Sequence, residues 1–494
     1  MDRHRAGLEG RRWRHPAGPR RGPRVVRRLP AAGIGRSGTG LRLERGESSH
    51  SFAHSLQSDI ERRRSACVTT RPDPQAARRN QRGAHMTPHT IRRPFAKLAS
   101  AMAIALPASL ASGSCRPDLS FIATEVEAFL AENPFVPGIA IIIGRDDEVI
   151  YERGFGDTTT TSVMPIASAT KWITGAALMS LVDEGLVSLD TRVAEFIPAF
   201  DDDDGPLSRI TLGHCFAHTS GLPAQSAALN DRNLPLQDFA VVTAIAGPRL
   251  DLTGAPVEPG AEFHYGGVSM QVAGAVMELA AGEPFQAILA SRITDPLGMS
   301  STFFPLGSPR VAGGLNSNAA DYAAFLQSLF DGAAGAGGVL SAEAIDTLLE
   351  DQAHGAIRRF VPPSVPTGFS HGVGVWLDLF DEESGASVEA TSVGAYGANA
   401  WLDRSRGLYG MFIVFSNNGL VTPLVRDLQR GVADAVDVSR ADLSGDGAVG
   451  AGDLAILLGA WGTQGPGDLA GNGVVGSADL AILLGAWGPC PNPD

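Results

Sequence analysis

Lysine is almost missing from this chain: among 494 residues only Lys97 and Lys171 carry an ammonium group, and every other strong base is arginine. Cysteine is scarce as well. After Cys115 only Cys215 and Cys490 remain, far apart in sequence, so their spacing indicates no disulfide framework. Cys215, within Leu212–Gly213–His214–Cys215–Phe216, reads as a small buried hydrophobe. Past Leu110 no apolar run approaches the roughly twenty residues a membrane-spanning helix needs, which predicts a mature chain without one. Bases also thin out past Cys115, where 17 of them face 46 acids for a net charge of −29. A body of that sign repels nucleic acid and anionic lipid, so neither is expected as a partner.

What is present divides the chain into four stretches. Residues 1–85 hold twenty arginines and seven acids with no sustained apolar period, the texture of a disordered arm or of a non-native upstream extension. Residues 86–115 read as an export signal. Arg92, Arg93 and Lys97 form a basic segment, Leu98–Leu110 is apolar and Ala-rich, and Ser109 and Ala111 suit a signal peptidase. Ile91–Lys97 resembles a twin-arginine signal, and Cys115 is a candidate for lipidation although Ser112 stands where a lipobox has an aliphatic residue. Export to a periplasmic, cell-surface or secreted location is therefore expected. Residues 116–436 form the main globular region and 437–494 a tandem repeat.

Within the main region, 137–154 predicts a hairpin turning at Asp146–Asp147, and a helix is expected from Ser168 to a C-cap at Gly185. Further helices are expected at 269–281, 319–330, 341–350 and 421–436, with strands at 371–379, 387–393, 398–403 and 408–416. Strands at both ends around a helical middle imply an α+β fold: one antiparallel sheet flanked by helices, with an additional helical lobe.

The single lysine of the mature chain carries the most chemistry. A guanidinium cannot give up its proton near neutrality, whereas a desolvated amine can. In Ser168–Ala169–Thr170–Lys171 the two ends stand at i and i+3, one face of a helix, which puts an amine beside a hydroxyl. For Lys171 to act as base its pKa must fall from about 10.4 toward roughly 7. In isolation the same residues would read as an N-cap and a solvated first turn. His214, His218 and His264 raise the alternative of a Ser-His-Asp triad, but the chain has no G-x-S-x-G elbow and all three read as structural.

From Ile166 through Ala177 the chain resembles the serine β-lactamase and D,D-peptidase superfamily, in its class C β-lactamase, D-aminopeptidase and esterase branch. The resemblance continues through Leu181–Gly185, Ile210–His214, His218–Pro223, Pro296–Met299 and Gly313–Ser317 and spans roughly 118–436. It implies an acyl-enzyme mechanism with Ser168 as nucleophile and Lys171 as base, acting on esters, D-amino-acid peptides or β-lactams without a catalytic cofactor. Its Tyr-x-Asn element corresponds to Tyr265–Gly266–Gly267, with Tyr265 assisting proton transfer and Gly267 lacking the amide. Its Lys-Thr-Gly element corresponds to Ser392–Val393–Gly394, ahead of Ala395, whose N–H would form an oxyanion hole with that of Ser168. Ser392 offers no charge to a substrate carboxylate, which favours an esterase or amidase over an efficient β-lactamase.

The terminal repeat has a period of 26 residues, starting at Asp442 and again at Asp468. Its first copy fits a calcium loop, with Asp442, Ser444 and Asp446 at positions 1, 3 and 5, the Ala448 carbonyl at 7 and Asp453 at 12. The second offers Asp468, Asn472, Val474 and Asp479 but has Ala470 at position 3. Leu454–Leu458 and Leu480–Leu484 would supply the apolar faces of the following helices. The module resembles a type I dockerin, which implies calcium binding and a cohesin-like partner or a tether. A non-catalytic penicillin-binding-like receptor, with its function in this tail, is the competing expectation.

Overall fold

The computed structural model describes residues 115–490 apart from 334, 336, 364, 366, 367 and 379–386. The Arg-rich stretch and all of the export signal except Cys115 therefore lie outside the described residues. The predicted hairpin is β1 (Gly138–Arg145) and β2 (Glu148–Gly156), turning at Asp146 with φ 53. Late strands β3 (Ser370–His371), β4 (Trp376–Leu377), β5 (Glu389–Val393), β6 (Asn399–Asp403) and β7 (Leu408–Ile413) complete one seven-stranded antiparallel sheet, ordered β2-β1-β7-β6-β5-β4-β3. Pairing of Ile142 with Met411 and Ala400 with Ser392 fixes its register. Both ends of the main region thus build one sheet, as the pattern predicts.

Burial on both faces explains why β1 is a continuous apolar run rather than an alternating one. Ala140 and Ile142 face the helical lobe, with Ala400, Met411 and Ile413 beside them. Ile139, Ile141 and Ile143 face the opposite layer, formed by α1 (Ser120–Glu132) and the long helix packed beside it near the C-terminus. The helix after Ser168, α2 (Thr170–Asp183), lies at the centre of the lobe, and every residue from Thr170 to Leu181 is buried. The lobe also contains Leu236–Ala246, α3 (Val268–Ala281) and α4 (Ala319–Ala333), which packs against β1 and β7. Apolar residues all round α2 identify a core helix rather than a surface one. Gly185, at φ 70 with its N–H on Val182 O, closes it as expected.

Two expectations need correction. The strand expected at 371–379 is broken into β3 and β4 by a turn at Gly374, where φ is 80 and an added Cβ would lie 2.4 Å from Lys171 O. The helix expected at 421–436 is longer, α5 (Asn418–Ala441), and runs without interruption across the 436/437 boundary into the repeats. Pro423, the sixth residue, lies inside the helix and has no N–H to offer the carbonyl of Gly419 four residues back.

The repeats form α6 (Ala451–Gly459) and α7 (Ser477–Gly485), with Leu457, Leu483, Val449 and Val475 in a small core capped by Ala441 of α5. Of the apolar faces expected, Leu454 and Leu480 pack against this core beside the buried Leu457 and Leu483, whereas Leu458 and Leu484 are exposed. Arg440 ties the tail to the body, donating to Ser405 O and Asp468 O at 3.1 Å each. Cys115 and Cys490 form a disulfide across 375 residues, with Cα atoms 5.5 Å apart. That pairing overturns the expectation of isolated cysteines, because α1 and the second repeat both pack on α5 and bring the two ends of the described chain together.

Candidate active site

Ser168 sits in a 3-10 turn, Ala167–Ala169, that opens α2. The preceding Ala167 has φ 46, a conformation unusual for a residue with a Cβ. Three contacts hold the turn in place. Ile166 N–H donates to Leu315 O at 3.0 Å, the Tyr322 hydroxyl to Ala169 O at 2.8 Å and Leu315 N–H to Thr170 Oγ1 at 3.1 Å.

Lys171 points back along this turn, and its Nζ donates to Ser168 Oγ at 3.1 Å and to Ala312 O at 2.6 Å. It is 4% exposed and has no carboxylate partner among the described residues. Burial, reinforced by the nearby charge of Arg310, lowers its pKa to about 7. Near neutrality a substantial fraction of the amine is therefore unprotonated and able to accept the Ser168 proton.

Tyr265 closes the other side, its ring 4.6 Å from Lys171 Nζ and its hydroxyl hydrogen-bonded to Ser168 and Trp376. Burial pushes the phenol up to about 12, so it stays protonated at neutral pH and is a donor rather than a base. Trp376 stacks on it with centroids 5.0 Å apart. Behind this pair lie His218 and His371, both buried, with the His218 ring 4.6 Å from that of Tyr265 and 4.8 Å from that of His371. Both nitrogens of His218 and Nε2 of His371 lack a hydrogen-bond partner, and burial lowers the pKa of both rings, keeping them neutral. His214 binds Thr211 through Nδ1, and among the described residues no hydrogen bond joins His214, His218 or His264 to Ser168.

Gly394 brings the end of β5 against the nucleophile turn: a Cβ added there would lie 2.2 Å from Ile166 O. Ala395 follows, exposed in the turn closed by Gly397 N–H on Gly394 O. At Gly267 an added Cβ would rest in van der Waals contact with Leu229 at 3.4 Å and Ala312 at 3.6 Å. Ser392 differs from its expected place at the substrate's edge. It is 2% exposed on the inner face of β5, and its hydroxyl is hydrogen-bonded to Tyr322. The sequence reading did not find the Ala312 carbonyl, which carries no residue-type signal, or Trp376 and His371, which were legible only as strand residues.

In the tail, the two loops repeat one pattern of hydrogen bonds. Asp442 accepts from Asp446 N–H at 3.1 Å and Gly447 N–H at 3.0 Å, while Asp453 accepts from Ser444 N–H at 2.8 Å and Gly450 N–H at 2.6 Å. Asp468 accepts likewise from Asn472 and Gly473, and Asp479 from Ala470 and Gly476. Carboxylates bonded in this way keep lone pairs for a cation, and the oxygen donors of Asp442, Ser444, Asp446, Ala448 and Asp453 fit calcium in type. The three aspartates do not meet as a group: among the described residues the set of three acid, histidine or cysteine side chains lying within 4.8 Å is Asp442 with Cys115 and Cys490, whose sulfurs are joined in the disulfide. In the second loop Ala470 supplies no side-chain oxygen, and Val474 offers its carbonyl only.

Comparison with known proteins places these features in context. The Beta-lactamase family model matches residues 126–436. Protein flp of Staphylococcus aureus (strain N315) is 28% identical over 181 residues, 34% of this chain and 35% of flp. Esterase EstB of Burkholderia gladioli is 30% identical over 193 residues, 35% of this chain and 48% of EstB. The matches thus span between a third and a half of these curated relatives. Among solved structures, a putative beta-lactamase from Bacteroides dorei superposes with a TM-score of 0.57 at 28% identity, over 65% of this chain and all of that one. The D-amino acid amidase from Ochrobactrum anthropi superposes at 0.51 with 20% identity over 65% of this chain, a likeness of fold.

Proposed function

The chain belongs to the Beta-lactamase family of serine hydrolases, and from that premise we propose that it hydrolyses esters or amides through a covalent acyl-Ser168 intermediate. Neutral Lys171 takes the Ser168 proton as Oγ attacks the acyl carbonyl carbon. The carbonyl π electrons move onto its oxygen, where Ser168 N–H and Ala395 N–H would stabilise the charge. Collapse of the tetrahedral adduct breaks the bond to the alcohol or amine leaving group. That group leaves with a proton passed from Lys171 through Tyr265. Water then attacks the acyl-enzyme, gives its proton to Lys171, and the acid departs as Ser168 is restored.

The observation that carries this reading is the 3.1 Å contact between Lys171 Nζ and Ser168 Oγ at a site whose burial brings the lysine to about 7. Esterase EstB among the relatives supports acyl-ester chemistry. Labelling of the full chain with a fluorophosphonate, compared with Ser168→Ala, tests it. A Ser168-dependent adduct together with turnover of short p-nitrophenyl esters is expected. No adduct and no turnover would favour the receptor reading.

For the tail, calcium held by Asp442, Ser444, Asp446, Ala448 and Asp453 is the reading that the oxygen-donor set supports, with a cohesin-like partner or a surface tether as its use. Export is supported by the Cys115–Cys490 disulfide, a bond that persists in oxidising compartments. Calcium titration of the full chain, followed by protection of α6 from hydrogen exchange, would test the loop.

A further inference from the structure

A cavity of about 480 Å³ lies between α5 and the strands β5 and β6, on the face of the sheet opposite α2. Trp401 and Val425 give it an apolar wall, and Asp378, Glu389, Asp403 and Asp434 stand among its lining residues. None of these side chains takes part in the acyl transfer.

The register of the sheet crowds carboxylates onto this face. Asp403 shares the face of Trp401, two residues before it, and Glu389 of β5 lies directly across from Asp403. Asp378, just past β4, continues the row on the other side of Glu389, with its N–H on Glu389 O at 2.9 Å. Like charges facing each other across strands are destabilising. Arg406 relieves Asp403, which it holds at 2.8 Å while its other nitrogens bind Asp437 at 2.8 and 2.9 Å. Burial, then Asp403 and Asp378, push Glu389 up to about 7.

The remaining charges do not balance. Arg430 is paired with its helix neighbour Asp427, which leaves Arg426, 6.0 Å over the Phe369 ring, as the free guanidinium among the described lining residues. Asp378, Glu389 and Asp434 form no ion pair among the described residues. Three carboxylates against one guanidinium leave an excess of two negative charges. A single metal ion does not suit it, because among the described residues no three of these carboxylates converge within 4.8 Å. Two cationic groups spaced along one flexible chain do.

We propose that this cavity binds small aliphatic diamines, their ammonium groups paired with Asp378, Glu389 and Asp434 and their methylenes lying on Trp401 and Val425. Each ammonium brings three N–H donors to carboxylates, and an apolar wall suits the chain between them as it suits the stem of a lysine. The site is separate from Ser168 and does not rest on the hydrolase reading.

Isothermal titration calorimetry of the full chain with putrescine tests it, with butylamine as the single-charge comparison. Saturable binding at one site is expected, at least tenfold tighter for putrescine. Glu389→Gln should weaken it by about tenfold, the effect of losing one charge-assisted hydrogen bond. Asp378→Asn should act in the same direction, and thermal melts establish that both variants are folded. Because 46 acids face 17 bases beyond Cys115, non-specific attraction is the competing explanation. Glu148→Gln, which removes an exposed acid from the β1–β2 hairpin, should leave binding unchanged, and so should Ser168→Ala. Absence of saturable binding, equal losses in Glu389→Gln and Glu148→Gln, or abolition by Ser168→Ala would each overturn the proposal. Displacement of putrescine by an equal concentration of magnesium would also overturn it, by giving the acids to a metal ion.

Discussion

The two kinds of helix-opening turn in this molecule are built by opposite means. In the terminal loops the left-handed positions are all glycine, Gly445 at φ 70, Gly447 at 84, Gly471 at 68 and Gly473 at 86, and aspartates four and five residues back satisfy the local N–H groups. Such a turn is relaxed and self-contained. At the nucleophile the left-handed position is Ala167, whose Cβ makes φ 46 cost on the order of 1–2 kcal/mol. Contacts from Leu315, Tyr322 and Gly394, all distant in sequence, hold it there. Local chemistry specifies the tail, whereas the whole domain specifies the Ser168 turn. Strain held in this way is characteristic of sites where orientation matters more than stability.

The sharpest way to break that contrast is Lys171→Met. Ester turnover should fall by roughly a thousandfold or more, since the general base is lost. Stability should move the other way. Lys171 titrates at about 7 when folded and 10.5 when unfolded, so between those values the unfolded chain binds more protons and folding stability rises with pH. The methionine variant should lose that slope and melt higher at pH 7, with roughly 4 kcal/mol at stake before the lost hydrogen bonds are counted. Thermal melts at pH 7 and 9 read both effects; a methionine variant that kept the pH slope would break the assignment of the buried amine.

Gly394→Val comes next. A side chain 2.2 Å from Ile166 O must shift the turn, and about a hundredfold loss of kcat/KM is expected, since misplacing a reacting group by about 1 Å has that effect. Gly445→Ala, by contrast, should destabilise only the tail by about 1 kcal/mol and leave turnover unchanged. Equal effects from the two substitutions would erase the contrast between global and local specification. In the native protein, kcat/KM should fall about tenfold per pH unit below 7 as Lys171 protonates, and a pH profile with no acid limb there would assign the base elsewhere. The paired Cys115→Ser and Cys490→Ser substitutions should lower stability by about 2–4 kcal/mol in denaturant melts without changing turnover.

Much of this architecture was legible in the chain because its signals are local. The hairpin around Asp146–Asp147, the helix closing at Gly185 and the i, i+3 pairing of Ser168 with Lys171 each depend on neighbours within a few residues. The 26-residue repeat was legible for the same reason. What escaped depends on contacts between distant segments. The split of β3 from β4 arises because α2 passes against Gly374, and Ser392 turns inward because Tyr322 of α4 waits beneath the strand. Neither the Ala312 carbonyl on Lys171 nor the pairing of Cys115 with Cys490 has a motif.

The Cys115–Cys490 bond also changes what a protease can achieve. It turns the intervening chain into a covalent ring, so a single cut in any exposed loop between the two cysteines opens the ring without releasing a piece. The nicked molecule keeps its mass on a non-reducing gel and separates into fragments only after a thiol is added. Body and repeats therefore remain attached through one backbone break, and releasing either takes a second cut or a reductant.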